Sequence, residues 1–261
     1  MIKFVDGSEF ETQPLVERQR WFLGDEETRN FDLSSMTFEQ FVDFFFARDV
    51  VPDKQQYAYF SQDLSGQKFD EAVPSSPSVI VEHMIRLFTE FGRIVSKYSV
   101  AQIDQGIWGL FGAKLRLYEY LWDSSLPLER RIQCIRSMYS VFAEFVAISN
   151  VKPSETGFYM WWDLILFGFW FEQTYHRKLP AENYQLLPEE DRKLADAMFE
   201  TLVEILKLDG DRTKSCALHG LGHLHHPGVR VVVQQYIDSQ PPGLAPEAIK
   251  WLEDCRDGRI M

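Results

Sequence analysis

Four of the six histidines fall between residues 219 and 226. Cys216, His219, His223 and His226 follow one another at steps of three, four and three, the spacing of one face of a helix. Imidazoles at i and i+4 are how a single helix lends two ligands to a zinc ion, so His219 and His223 are the candidate metal pair. The glutamate of an H-E-x-x-H motif is missing. Cys216 and His226 would lie about 15 Å apart along a straight helix, which cannot fold around one ion. A third ligand must come from elsewhere, and His83 and His176 are the remaining imidazoles. The favoured reading is therefore a helix whose histidines cap, pack or face solvent, with no metal and no cofactor expected.

Other residues with chemical potential read the same way. Gly106, Gly109 and Gly112 are three apart inside a helical pattern. Phosphate cradles instead need glycines between a strand and a helix, so these three are expected to mark close helix–helix contact. Cys134 has Arg131 and Arg136 nearby but lies in an apolar helix, which favours an inert thiol. Phe158, Tyr159, Trp161, Trp162, Phe169, Trp170 and Phe171 could line a pocket or anchor a partner; aromatics at helical spacing are more often core. The acidic groups Asp25-Glu26-Glu27 and Glu189-Glu190-Asp191 are expected to be solvated helix starts that could also attract a basic partner.

The elements that would position these residues are helices. Thr37-Phe-Glu-Gln40 and Ser99-Val-Ala-Gln102 have capping-box spacing, and Ser76-Pro77 offers an N-cap with proline at the first helical position. Ile80, Met84, Leu87, Phe91, Ile94 and Tyr98 form one apolar stripe. The helix opened by Ser99 is expected to run to Trp122 with two stripes and therefore to be interior. Further helices are expected near 128–150, 157–175, 189–207, 212–225, 228–239 and 245–256. The first 75 residues are less regular, with Ile2–Val5 and Gln56–Phe60 as short strands or extended chain, and their phenylalanines need the helical body to pack on.

Leu110-Phe111-Gly112, Leu166-Phe167-Gly168 and Leu221-Gly222 recur at intervals near 55 residues, each in the first helix of an expected hairpin (99–150, 157–207 and 212–239). At Ala217-Leu218, Leu221-Gly222 and Leu224, followed by a turn ending in Pro227, residues 212–257 resemble a bacterial HEAT-like repeat. That resemblance implies a helix packed against the next one, Val229 to Ile237, and protein binding more often than catalysis. Upstream hairpins are longer, and aromatics replace Ala and Leu.

The 261 residues are 45% hydrophobic and 25% charged, which indicates a folded globular chain. With 27 Lys and Arg against 39 Asp and Glu the net charge is −12, which argues against nucleic acid and against an anionic membrane as partners. Three well-separated cysteines and a charged amino terminus suit a reducing cytoplasm. The stretch 157–171 is too short to span a bilayer and carries Asp163. The expected fold is all-α: one domain, an irregular array of antiparallel helical hairpins (α-solenoid or bundle-like), with residues 1–75 packed on a body of 76–261. The expected function is a non-enzymatic protein-interaction module with a protein partner, a basic one suiting its charge. The alternative is a metal-dependent or small-molecule-binding enzyme centred on His219 and His223.

Overall fold

The protein is seen in a computed structural model that describes residues 2–3, 9–10, 30–52, 59–63, 65–69, 71–112, 115–148, 157–178 and 183–260. It is all-α. Helices are α1 (Phe38–Phe46), α2 (Pro77–Thr89), α3 (Phe91–Val95), α4 (Val100–Phe111), α5 (Leu128–Val141), α6 (Trp161–Phe171), α7 (Glu189–Leu206), α8 (Asp211–Leu224), α9 (Val229–Asp238) and α10 (Pro246–Arg256). Among the described residues strand pairing is confined to two-residue pieces, Ile2–Lys3 antiparallel to Glu9–Phe10 and Asn30–Phe31 parallel to Glu71–Ala72, and to one isolated antiparallel bridge between Gln62 and Lys68. The extended segment expected over Gln56–Phe60 falls mostly outside the described residues.

Local chemistry explains where helices begin. Thr37 and Gln40 cap α1 reciprocally, and Ser99 and Gln102 do the same for α4, each pair satisfying two backbone N–H groups that a helix start leaves open. Pro77 and Pro246 open α2 and α10, where a missing N–H costs nothing. The long helix expected from Ser99 to Trp122 is broken instead at Gly112. The Trp108 carbonyl oxygen sits 2.3 Å from where a Gly112 Cβ would be, a backbone path open only to glycine. The chain then turns through Arg116, in the left-handed region at φ 48°, into a 3₁₀ segment, Leu117–Leu121. Both expected stripes are nonetheless used, because Leu115, Leu117, Tyr118, Leu121 and Trp122 all reach the core from this second path.

The core is one continuous apolar cluster from Leu33 to Cys255. Phe41, Phe44, Phe45 and Phe46 of α1 are fully buried and α1 lies on α4, so the phenylalanine-rich part of the N-terminal region does find the helical body. The main partners of α5 are α2 and α7, while α8 packs on α7, α6 and α10. Helix contacts are thus made largely between non-successive elements, in the manner of an irregular bundle, and the close pairings expected inside 99–150 and 157–207 give way to these. Two helices end in a wider π turn, Phe142–Val146 after α5 and Glu172–His176 after α6. Among the described residues no helix is long and apolar enough to cross a membrane.

Candidate functional site

Helix α8 crosses the start of α6, and the histidine cluster lies at that crossing. Gly220 makes the approach possible: a Cβ there would sit 2.7 Å from both Trp162 Cβ of α6 and Leu202 Cδ2 of α7. His219, 2% exposed, is stacked on the Tyr159 ring at 4.2 Å and donates from Nδ1 to the Tyr159 carbonyl at 3.2 Å. A carbonyl can only accept, so His219 carries its hydrogen on Nδ1 and offers Nε2 as an acceptor. His223 Nε2 lies 3.3 Å from that acceptor and 3.2 Å from Asp163 Oδ1 of α6. The result is a chain: the His223 N–H is shared between the His219 nitrogen and the Asp163 carboxylate, and His219 passes the connection on to the backbone of the 157–160 turn. Burial first, and the neighbouring His223 second, push the His219 imidazole down to about 4.

Asp163 is the residue that the spacing of histidines does not reveal. Its signal was present, as the lone acid inside the apolar run 157–171. A half-buried carboxylate in such a helix needs a partner. His83 and His176 do not join this site. His83 Nε2 faces the Met36 carbonyl at 3.1 Å, its ring against Phe38 and Phe41, and His176 lies beside Glu172 and the edge of Phe171.

The face expected to carry Cys216, His219, His223 and His226 together does not survive the end of α8. His225 takes the left-handed conformation at φ 53° and turns the chain away. His226 accepts from the Gly228 N–H at Nδ1 (3.0 Å) and donates from Nε2 to Asp196 of α7 (3.2 Å), stacked on Phe199 at 4.1 Å. Tyr184 donates to the same carboxylate oxygen at 2.5 Å, and its phenol is pushed up to about 12 by burial and by Asp196. His226 thus pins the α8–α9 turn to α7. Among the described residues no three His, Cys, Asp or Glu side chains are grouped so as to hold a metal ion. Cys134, Cys216 and Cys255 are buried free thiols; burial raises all three, Cys216 and Cys255 to about 12, so none supplies a thiolate near neutral pH.

The other candidates resolve by packing. Of the three glycines expected at a helix contact, Gly106 meets Phe46 of α1, whereas Gly109 meets Phe60, which lies outside the helices named above, and Gly112 ends α4 against its own Trp108 carbonyl. The acidic start of α7 is only partly solvated. Glu189 is exposed and paired with Lys193, but Glu190 meets the fully buried Arg131, and Asp191, 1% exposed, holds Arg177 Nη1 at 2.5 Å. Two of these three acids therefore serve the interior. Asp25-Glu26-Glu27 lies outside the described residues.

Of the aromatic group, Phe158, Trp161, Trp162 and Phe169 are fully buried. The opposite face of α6 is different. Phe167 is 68% exposed and Tyr175 47%, with Phe171 between them; ring centroids are 6.2 Å apart for Phe167 and Phe171 and 4.4 Å for Phe171 and Tyr175. Spacing of four places the three rings in one row along α6 and its π turn. The chain finds no match among protein-family models, curated proteins or solved structures.

Proposed function

We propose that this chain is a non-enzymatic protein-interaction module that binds a basic protein through the aromatic row Phe167, Phe171 and Tyr175. The observation that carries this reading is Phe167, whose ring is mostly in water although a well-filled core lies one turn away. Leaving such a ring solvated forfeits about 1.5–3 kcal/mol of burial, and aromatic side chains are enriched among the residues that anchor interfaces. Charge sets the kind of partner. The net charge of −12 draws basic proteins and repels acidic ones. The resemblance of residues 212–257 to a HEAT-like repeat supports the same class of function.

The test is a pull-down on full-length protein, wild type beside Phe167→Ala/Tyr175→Ala. The wild type should retain one stoichiometric basic protein, released as salt is raised, and the variant should bind it at least about tenfold more weakly with unchanged thermal stability. Equal retention by the variant removes the aromatic row from the account. Stoichiometric zinc, iron or manganese in the purified protein would instead favour an enzyme built on His219 and His223.

A further inference from the structure

We propose that the Asp163–His223–His219 chain is an acid-sensitive latch holding α8 on the start of α6, closed while His219 is neutral and opened when His219 takes up a proton. The geometry leaves room for one hydrogen. The two Nε2 atoms are 3.3 Å apart, and the Tyr159 carbonyl already fixes the other His219 nitrogen as a donor. With both rings neutral, His223 fills the gap. The same His223 Nε2 faces Asp163 Oδ1 at 3.2 Å, so its hydrogen is held between α8 and α6.

A proton taken up by His219 can enter only at Nε2, because Nδ1 already donates to the Tyr159 carbonyl. Two hydrogens then share the same gap, with a positive charge on a ring that water does not reach to screen. The charged groups acting on His219 are His223 of its own helix and Asp163 of α6. Tyr159 contributes its carbonyl and the ring stack, while Cys216 of α8 and Cys255 of α10 lie near the Tyr159 phenol and stay neutral in the acid range. Among the described residues α7, α9 and the 142–146 turn bring no charged group to bear on it. A base whose folded-state pKa lies near 4, below the free value of 6.5, leaves the contact intact above pH 6.5 and weakens it progressively as pH falls toward 4. This device is independent of any partner.

Hydrogen exchange on the full chain, followed by mass spectrometry at about pH 7 and about pH 4.5 and corrected for intrinsic rates, reads the latch directly. Peptides covering 211–224 and 157–163 should lose at least about tenfold in protection at the lower pH while 77–111 keeps its own. His219→Gln, which preserves a donor and an acceptor but cannot be charged, should abolish the step. Asp163→Asn, at a partly solvated position, should enlarge the loss of protection at the lower pH, because it removes the anion that helps the closed state carry a proton on His219. Unchanged protection at low pH, uniform loss over the whole chain, a persistent step in His219→Gln, or a loss no larger in Asp163→Asn would each overturn the latch.

Discussion

Trp161→Ala is expected to lower the unfolding free energy by about 3–5 kcal/mol, the upper range for deletion of a buried aromatic. The indole is fully buried where four elements meet. Its ring lies 5.2 Å from Phe88 of α2, 4.7 Å from Phe111 of α4, 5.9 Å from Phe142 at the end of α5 and 6.4 Å from Phe158 of the turn before α6. Three of those contacts are edge-on, the geometry in which an aromatic pair adds about 0.5–1.5 kcal/mol beyond its buried area. Its Nε1–H also donates to Met138 Sδ at 3.4 Å, so the substitution leaves a void and removes a link to α5. Chemical denaturation of the two proteins checks this. Trp161→Phe should recover roughly half of the loss by refilling most of the volume. A deficit below about 1 kcal/mol for the alanine variant would mean that the four elements close around the void, and that Trp161 does not hold them together.

The contrast between Trp161 and Phe167, six residues later on the same helix, shows what the sequence discloses and what it withholds. Helix starts were legible because their chemistry is local. Thr37 with Gln40, Ser99 with Gln102, and Pro77 each act within one turn, although the Ser76 side chain makes no cap bond. The inner face of α7, Leu194, Met198, Leu202 and Ile205, was legible from its period alone. Helix α6 was not, since apolar residues cover all its sides and periodicity cannot say which side meets water. The break at Gly112 was also hidden. Two apolar stripes continue straight through it, and the contact that the second path makes, Tyr118 packed on Gly168 of α6, lies too far along the chain for spacing to show.

The candidate site was half legible. His219 and His223 are four apart and do meet, but through each other's nitrogens and through Asp163, a residue 56 positions before His219 whose approach depends on how α8 crosses α6. His226 shares their spacing and not their place, because His225 ends the helix. Asp191 carries the same lesson in charge: a run of three acids at a helix start reads as solvated, yet the bundle places Arg177 and Arg131 near its inner side. Where pairing is between distant elements, spacing along one helix names the participants and omits their partners.

Gly106→Val should destabilise the protein by about 2–3 kcal/mol and should loosen α1 in particular. Intrinsic propensity predicts the opposite sign, since glycine is about 0.3 kcal/mol worse than valine within a helix. Packing decides it. A Cβ at position 106 would stand 2.3 Å from Phe46 Cδ1 and 2.9 Å from the Phe45 carbonyl oxygen. The phenyl ring of Phe46 is itself fully buried, against Phe91 and Tyr98, and the carbonyl is backbone, so neither can move aside without shifting α1. Shifting α1 also disturbs the packing of Phe41 on His83 of α2 and of Phe44 and Phe45 on Phe60, which is why the expected cost exceeds that of one clash. The same shift strains the polar seam beside it, where Gln105 donates to the Asp49 carbonyl at 3.0 Å and accepts from the Val51 N–H at 2.9 Å. Hydrogen exchange over 38–46 should therefore accelerate in the variant more than exchange over 189–206, and Gly106→Ala should show the same pattern with a smaller loss. If valine at this position leaves stability unchanged or raises it, helix propensity governs the site and α1 is not held by close approach to α4.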